Sequence, residues 1–246
     1  MSATAESLKV YDFSHLEPRV QGLHRQRHSG ELISFMTTPP SSDLSRPALR
    51  KLLRQRRRAL TPVQQRQAAR QLYRQLAQHP LFRRARHIAF YLPSDGEIDP
   101  RPLLEEAQRR GKATYLPVLS RWPRTAMIFQ RVGRGESWVR NRFGIAEPRP
   151  DRRLGRPTWA LDLILMPLVG FDPQGGRLGM GKGFYDRNLA YLARRRQWHS
   201  PQLIGCAHEC QKVERLALAA WDVPMAAVVS DDGWYAQRTG ETSRAG

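Results

Sequence analysis

Residues 161–187 read LDLILMPLVGFDPQGGRLGMGKGFYDR, an apolar run passing directly into a glycine-rich loop. Residues 161–168, with Ile164 and Leu165 inside, are short and apolar, as expected of a buried strand. Gly175, Gly176, Gly179, Gly181 and Gly183 then allow left-handed and close-approach backbone, so several N–H groups can turn toward one anion. Arg177 and Lys182 add positive charge, and Asp186 is placed to face a divalent cation held by the same anion. An amphipathic helix follows. Strand, glycine loop and helix together describe a phosphate cradle.

Other glycine motifs fit badly. A Walker A loop requires Ser or Thr after its Gly-Lys, and here Gly183 follows Lys182. Gly179, Gly181 and Gly183 run G-x-G-x-G rather than G-x-G-x-x-G, with no acidic residue placed for a ribose. The plain alternative is a generic glycine-rich turn, with Phe184 and Tyr185 as ordinary core residues at the helix start.

Along the rest of the chain, strands and helices alternate. A helix is expected from Ser45 or Arg46, and a second opens at Thr61 as N-cap with Pro62 in its first position. Residues 87–92, 114–118, 127–132, 202–207 and 226–230 read as further strands. Asp99 with Pro100 opens a helix that Gly111 closes. Residues 133–158 form a long Arg/Gly/Pro-rich connection, which suggests a binding loop. This order predicts one α/β domain, a mainly parallel sheet with helices on both faces and ligands at the carboxyl ends of the strands. The expected division is an N-terminal extension at 1–45, disordered or loosely docked, a domain at 46–233 and a tail at 234–246. Residues 39–43 read as a linker, and Met36 is a candidate functional start.

The 246 residues carry a formal net charge of +19, with 41 Lys and Arg against 22 Asp and Glu. Residues 46–86 hold no acid at all, which raises an RNA-binding alternative with salt-dependent backbone contacts. Leu49, Leu52, Leu53 and Leu60, and then Leu72, Tyr73 and Leu76, form helical stripes, so most of these bases are expected on solvated faces. Cys206 and Cys210 make neither a disulfide framework nor a zinc site, and a reducing cytoplasm is the expected location. No apolar run reaches the roughly 20 residues that cross a bilayer, and no secretory signal is visible. His208 and Glu209 beside Cys210 lack the i, i+4 geometry of a metal pair and are taken as structural. No G-x-S-x-G elbow or local triad supports a covalent nucleophile.

LDLILMPLVGFD at 161–172, GGRLGMGKGFYDR at 175–187, SDGEID at 94–99 and the basic helix at 46–60 together resemble the 5-formyltetrahydrofolate cyclo-ligase family, also called methenyltetrahydrofolate synthetases. The resemblance spans about residues 46–231. It implies a single Rossmann-like three-layer α/β domain, ATP as co-substrate, Mg2+, and action on 5-formyltetrahydrofolate, polyglutamylated or not; a monomer is the expected state, though the sequence does not fix it. Carried over by position, the ATP site comprises Arg46, Pro47, Ala48, Leu49 and Arg50 with Arg177, Leu178, Gly179, Met180, Gly181, Lys182, Gly183, Phe184 and Tyr185. The folate site comprises Arg50, Leu92, Glu97, Phe143, Met180, Gly181, Lys182, Gly183 and Phe184. Lys182, Arg177 and Tyr185 take the catalytic roles, and Asp186 and Asp222 the metal. Without the resemblance, Glu97 is an ordinary solvated turn residue and Asp222 caps a turn before Pro224. Met180 departs from the Arg or Tyr of many members, and Ala226 from a second Asp. A different ATP-dependent ligase with an unrelated acid substrate is a third reading.

Overall fold

The computed structural model describes residues 44–133, 136–194, 201–216, 223 and 225–236. The expected extension and linker up to Asp43, the metal candidate Asp222 and the tail beyond Ala236 lie outside them. Two helices open the described chain, α1 (Arg46–Arg58) and α2 (Pro62–Ala77), and α3 (Pro80–Arg84) leads into strand β1 (His87–Ala89). Ser45 caps α1, its hydroxyl accepting from the amide of Ala48. Thr61 and Gln64 form a reciprocal capping box on α2, with Pro62 in the first turn as the sequence predicts.

Next come α4 (Arg101–Arg109), β2 (Ala113–Leu119) and β3 (Met127–Val132). Asp99 accepts from the amide of Arg101, and Gly111 at φ 71° closes the helix. The connection expected at 133–158 carries regular structure in its described residues. It contains a hairpin of β4 (Trp138–Arg140) and β5 (Ala146–Pro148), then the two-residue strand β6 (Gly155–Arg156). Asn141 organises the hairpin tip: its side-chain carbonyl accepts from the amides of Phe143 and Ile145 at 2.9 and 3.1 Å. Strand β7 (Leu163–Pro167) runs into the small hairpin of β8 (Gly170–Phe171) and β9 (Arg177–Leu178). Then follow α5 (Phe184–Leu189), β10 (Gln202–Cys206), β11 (Ala227–Val229) and β12 (Trp234–Ala236).

The main sheet has the order β12-β11-β10-β7-β1-β2-β3-β6. Its five central strands are parallel, whereas β12, β3 and β6 are antiparallel additions at the edges. The sheet therefore reaches past the expected boundary at 233 to take in Trp234–Ala236. Side-chain alternation divides the core. Ile88, Leu163, Leu165 and Ile204 face α2–α4 with Leu72, Leu76, Phe82 and Leu103, while Ala89, Ile164, Met166 and Leu203 face α5 with Leu189. A third cluster seats Leu49 and Leu53 of α1 against Val169, Leu178 and Val213. No described helix is long and apolar enough to cross a membrane.

The connections position the site. From β1 the chain moves to β2 on one side, whereas from β7 it moves to β10 on the other. The crossovers part between these adjacent strands, which leaves a crevice at their carboxyl ends.

Candidate active site

A cavity of about 630 Å3 opens at that crevice. Tyr91 and Leu92 beyond β1, Leu116 and Pro117 of β2, and Met166 to Leu168 at the end of β7 form its apolar floor. The glycine loop from Gly179 to Asp186 closes one side, and the β4–β5 hairpin brings Phe143 and Ile145 over it. Leu92, Glu97, Phe143, Met180, Gly181, Lys182, Gly183 and Phe184, predicted together from the sequence, all line this one space.

Gly181 and Gly183 adopt φ 81° and 65°, the left-handed region in which a side chain would be strained. Gly183 is also the N-cap of α5. Lys182 is exposed, and its ammonium sits 5.5 Å from the centroid of the Phe143 ring. Phe143 meets Phe184 edge-on at 6.1 Å, and the Arg142 guanidinium stacks near both rings. The mouth is thus aromatic and cationic.

Arg50 does not line the cavity but reaches the loop from α1, where its Nε donates to the Gly179 carbonyl at 2.9 Å. Leu49 and Leu178 are buried in the third core cluster and do not line the cavity. Arg46, Pro47 and Ala48 are not among the lining residues.

Arg177 is buried, and its guanidinium forms an ion pair with Asp186 and lies 3.7 Å from the Met166 sulfur. These two candidates, one for phosphate and one for metal, therefore answer each other's charge. No group of three His, Cys, Asp or Glu side chains among the described residues could hold a cation. Asp186 is the described carboxylate of the two metal candidates, and one carboxylate would suit Mg2+ only where phosphate oxygens supplied most of the ligands. Tyr185 packs near Phe129 with ring centroids 6.4 Å apart. Burial, then Glu97 and Cys206, push its phenol well above the usual value, so at neutral pH it is a hydrogen-bond donor and not a base.

Glu97 is the unusual acid. Its Oε2 accepts from the amide and hydroxyl of Ser94 at 3.0 and 3.3 Å, and its Oε1 lies 3.7 Å from the Arg57 guanidinium. Burial raises its pKa to about 7, outweighing the opposing pull of Arg57 and of the Ser94 hydrogen bonds. Relative to an ordinary carboxyl at 4.5, the folded protein holds a proton that the unfolded chain has lost. The stability this contributes is complete below the ordinary value and disappears as pH rises through about 7. Urea midpoints at about pH 5 and about pH 7.5 should show that decline in the wild type and a smaller one in Glu97→Gln. Equal slopes in the two proteins would sink this account of the carboxyl.

Sequence reasoning missed three groups here. Arg57, Asp95 and the hairpin tip at Asn141 hold lining segments in place, although Arg57 itself stays behind the wall. Helical phase does carry a signal for Arg57, since Leu49, Leu53 and Arg57 recur every four residues on the buried side of α1.

An open, mainly parallel sheet whose switch-point cavity joins a glycine-rich loop to an apolar pocket defines a three-layer α/β protein with its candidate site at the carboxyl ends of the strands. The model of the "5-formyltetrahydrofolate cyclo-ligase family" matches residues 43–231, and the chain belongs to that family. It is 42% identical over 179 residues to the 5-formyltetrahydrofolate cyclo-ligase of Escherichia coli (strain K12), covering 73% of this chain and 96% of that one. The NMR structure of Aquifex aeolicus 5,10-methenyltetrahydrofolate synthetase superposes with a TM-score of 0.67 at 29% identity, covering 80% and 95% of the two chains. The corresponding synthetase from Mycoplasma pneumoniae gives 0.59 at 26% identity, covering 76% and 99%.

Proposed function

We infer that the chain is a 5-formyltetrahydrofolate cyclo-ligase, converting 5-formyltetrahydrofolate and ATP into 5,10-methenyltetrahydrofolate, ADP and phosphate. The observation that carries this reading is that one cavity has the glycine-loop cation Lys182 and the folate-side residues Leu92, Glu97 and Phe143 on its walls. The family match takes in the arginine-rich helices that suggested RNA binding, so that surplus lies within an enzyme's fold.

In the proposed reaction the formyl oxygen attacks the γ-phosphorus and ADP leaves. A weakly electrophilic amide carbon thereby becomes an activated imidate. N10 of the folate attacks that carbon, the C–O bond breaks with release of phosphate, and N10 gives up its proton. No protein nucleophile is needed. The chain's work is alignment and neutralisation of charge on the transferred group.

Lys182 and the amides around Gly181 and Gly183 hold the terminal phosphates. Asp186 would hold Mg2+, which when bound would offset charge on the phosphate oxygens, and Arg177 beside it would add its positive charge toward the same phosphates. Glu97 meets the polar edge of the pterin, Phe143 covers its face, and the Tyr185 hydroxyl donates toward the reacting end. The cytoplasm is the proposed location, in keeping with two unpaired cysteines.

Methenyl absorbance appearing only when ATP and 5-formyltetrahydrofolate are both supplied tests the function directly; no product with both would overturn it. Asp186→Asn should raise the Mg2+ concentration for half-maximal rate several-fold. An unchanged metal dependence would remove Asp186 from the metal site and leave it as the partner of Arg177.

A further inference from the structure

Arg57 is fully buried in the last turn of α1, and every contact of its guanidinium runs to a segment that ends at the cavity. Its Nε donates to the Asp95 carbonyl at 2.9 Å, Nη2 to the Asp95 carboxylate at 2.9 Å, and Nη1 to the Leu168 carbonyl at 3.1 Å. One planar fork thus ties the turn beyond β1 to the end of β7, across the switch point itself. Asp95 adopts φ 54°, a left-handed conformation uncommon for a residue with a side chain, and Gly96 follows at 78°. A Cβ on Gly96 would stand 3.2 Å from the carbonyl oxygen of Arg57, so the turn rests directly on the helix end. Gln65 donates to the carbonyls of both Arg57 and Gly96, at 3.2 and 3.3 Å.

The other end of α1 matters equally. Arg50, seven residues earlier and so roughly 10 Å along the axis, is hydrogen-bonded to Gly179 of the glycine loop. The helix therefore touches both halves of the cavity, through Arg50 on the anion side and Arg57 on the Glu97 side. Building on the cyclo-ligase reading, we propose that Arg57 is a positioning residue: it fixes the 95–97 turn against β7 and so sets where the Glu97 carboxyl meets the folate, at a distance from the glycine loop ruled by α1.

Several charged or titratable groups surround the Glu97 carboxyl. Arg57 and Asp95 face it closely, Ser94 donates to it, and the phenols of Tyr91 and Tyr185 respond to its charge. Arg54 and Arg58 also pair with Asp95, so Asp95 stays ionised and keeps Arg57 from turning to Glu97.

Arg57→Lys keeps the charge and removes the fork. Calorimetric binding of 5-formyltetrahydrofolate without ATP should weaken about tenfold, while the KM for ATP changes by less than about twofold. If Arg57→Lys does not fold, Asp95→Asn opens the same contact from the more exposed side, with a several-fold loss of folate affinity expected. Either folded variant binding folate as the wild type does would overturn the proposal. So would equal losses for folate and ATP that track the melting temperature, since those mark a merely structural arginine. Wild-type protein that binds 5-formyltetrahydrofolate but yields no methenyl product would refute the activity alone, and wild-type protein that does not bind it would overturn both.

Discussion

Lys182→Ala should lower turnover by at least about tenfold and, if the ammonium meets the transferring phosphoryl group directly, by roughly a hundredfold. The range follows from about 1.5 to 3 kcal/mol for a charge-assisted hydrogen bond at about 1.4 kcal/mol per factor of ten. In the described conformation the ammonium has an aromatic neighbour, the Phe143 ring at 5.5 Å. That contact offers about 0.5 to 1 kcal/mol at an exposed site, too little to outweigh attraction to a triphosphate. The lysine is held ready over the cavity without being committed. The loss should therefore fall mainly on kcat, where charge spreads in the transition state, with a smaller rise in the KM for ATP. Initial rates of methenyl formation under saturating Mg·ATP decide it, and wild-type kinetics from Lys182→Ala would remove the glycine loop from phosphoryl transfer.

Those features of the site that sequence reveals are the ones with local causes. The run at 161–168 contains a strand because nearly every side chain in it is apolar, and Leu163–Pro167 is central in the sheet. Gly181 and Gly183 announce themselves because backbone with positive φ tolerates little else. What stays hidden depends on partners far along the chain. Arg57 sits between two other arginines, and although its helical phase puts it on the buried side of α1, its partners Asp95, 38 residues away, and Leu168, 111 away, cannot be read locally. The pairing of Arg177 with Asp186 is similarly invisible, since each residue taken alone suits an incoming ligand better than it suits the other. The β4–β5 hairpin escapes a periodicity reading because its strands are three residues long, and the Asn141 side chain, not an apolar pattern, shapes the tip. Short edge strands such as Trp234–Ala236 exist by pairing with a neighbour already in place.

Asp172→Ala should be the most destabilising single change near the site. Asp172 is 2% exposed, and its carboxylate accepts from three main-chain amides: Gln174 at 3.0 Å, Gly176 at 2.7 Å and Leu216 at 2.8 Å. Two of these shape the turn between β8 and β9, and the third anchors a segment more than forty residues later. Gly176 is required here for space, because a Cβ at that position would overlap the Asp172 carboxyl. Alanine leaves the three amides without their acceptor, and a buried unsatisfied donor costs about 1 to 3 kcal/mol. The losses share one local collapse and are not additive, so about 3 kcal/mol is expected in total, or roughly 6 to 12 °C in Tm for a domain of this size. Asp172→Asn, which keeps one acceptor oxygen in nearly the same shape, should fall between. The consequence reaches the chemistry through Arg177, the first residue of β9, whose burial beside Met166 depends on the β8–β9 turn keeping its form. Loss of folding stability should therefore be accompanied by a rise in the KM for ATP at temperatures where the variant is still folded. A melting temperature within about 2 °C of wild type would mean that the paired backbone of Gly170–Phe171 and Arg177–Leu178 holds the turn unaided, and that the carboxyl is dispensable to the glycine loop.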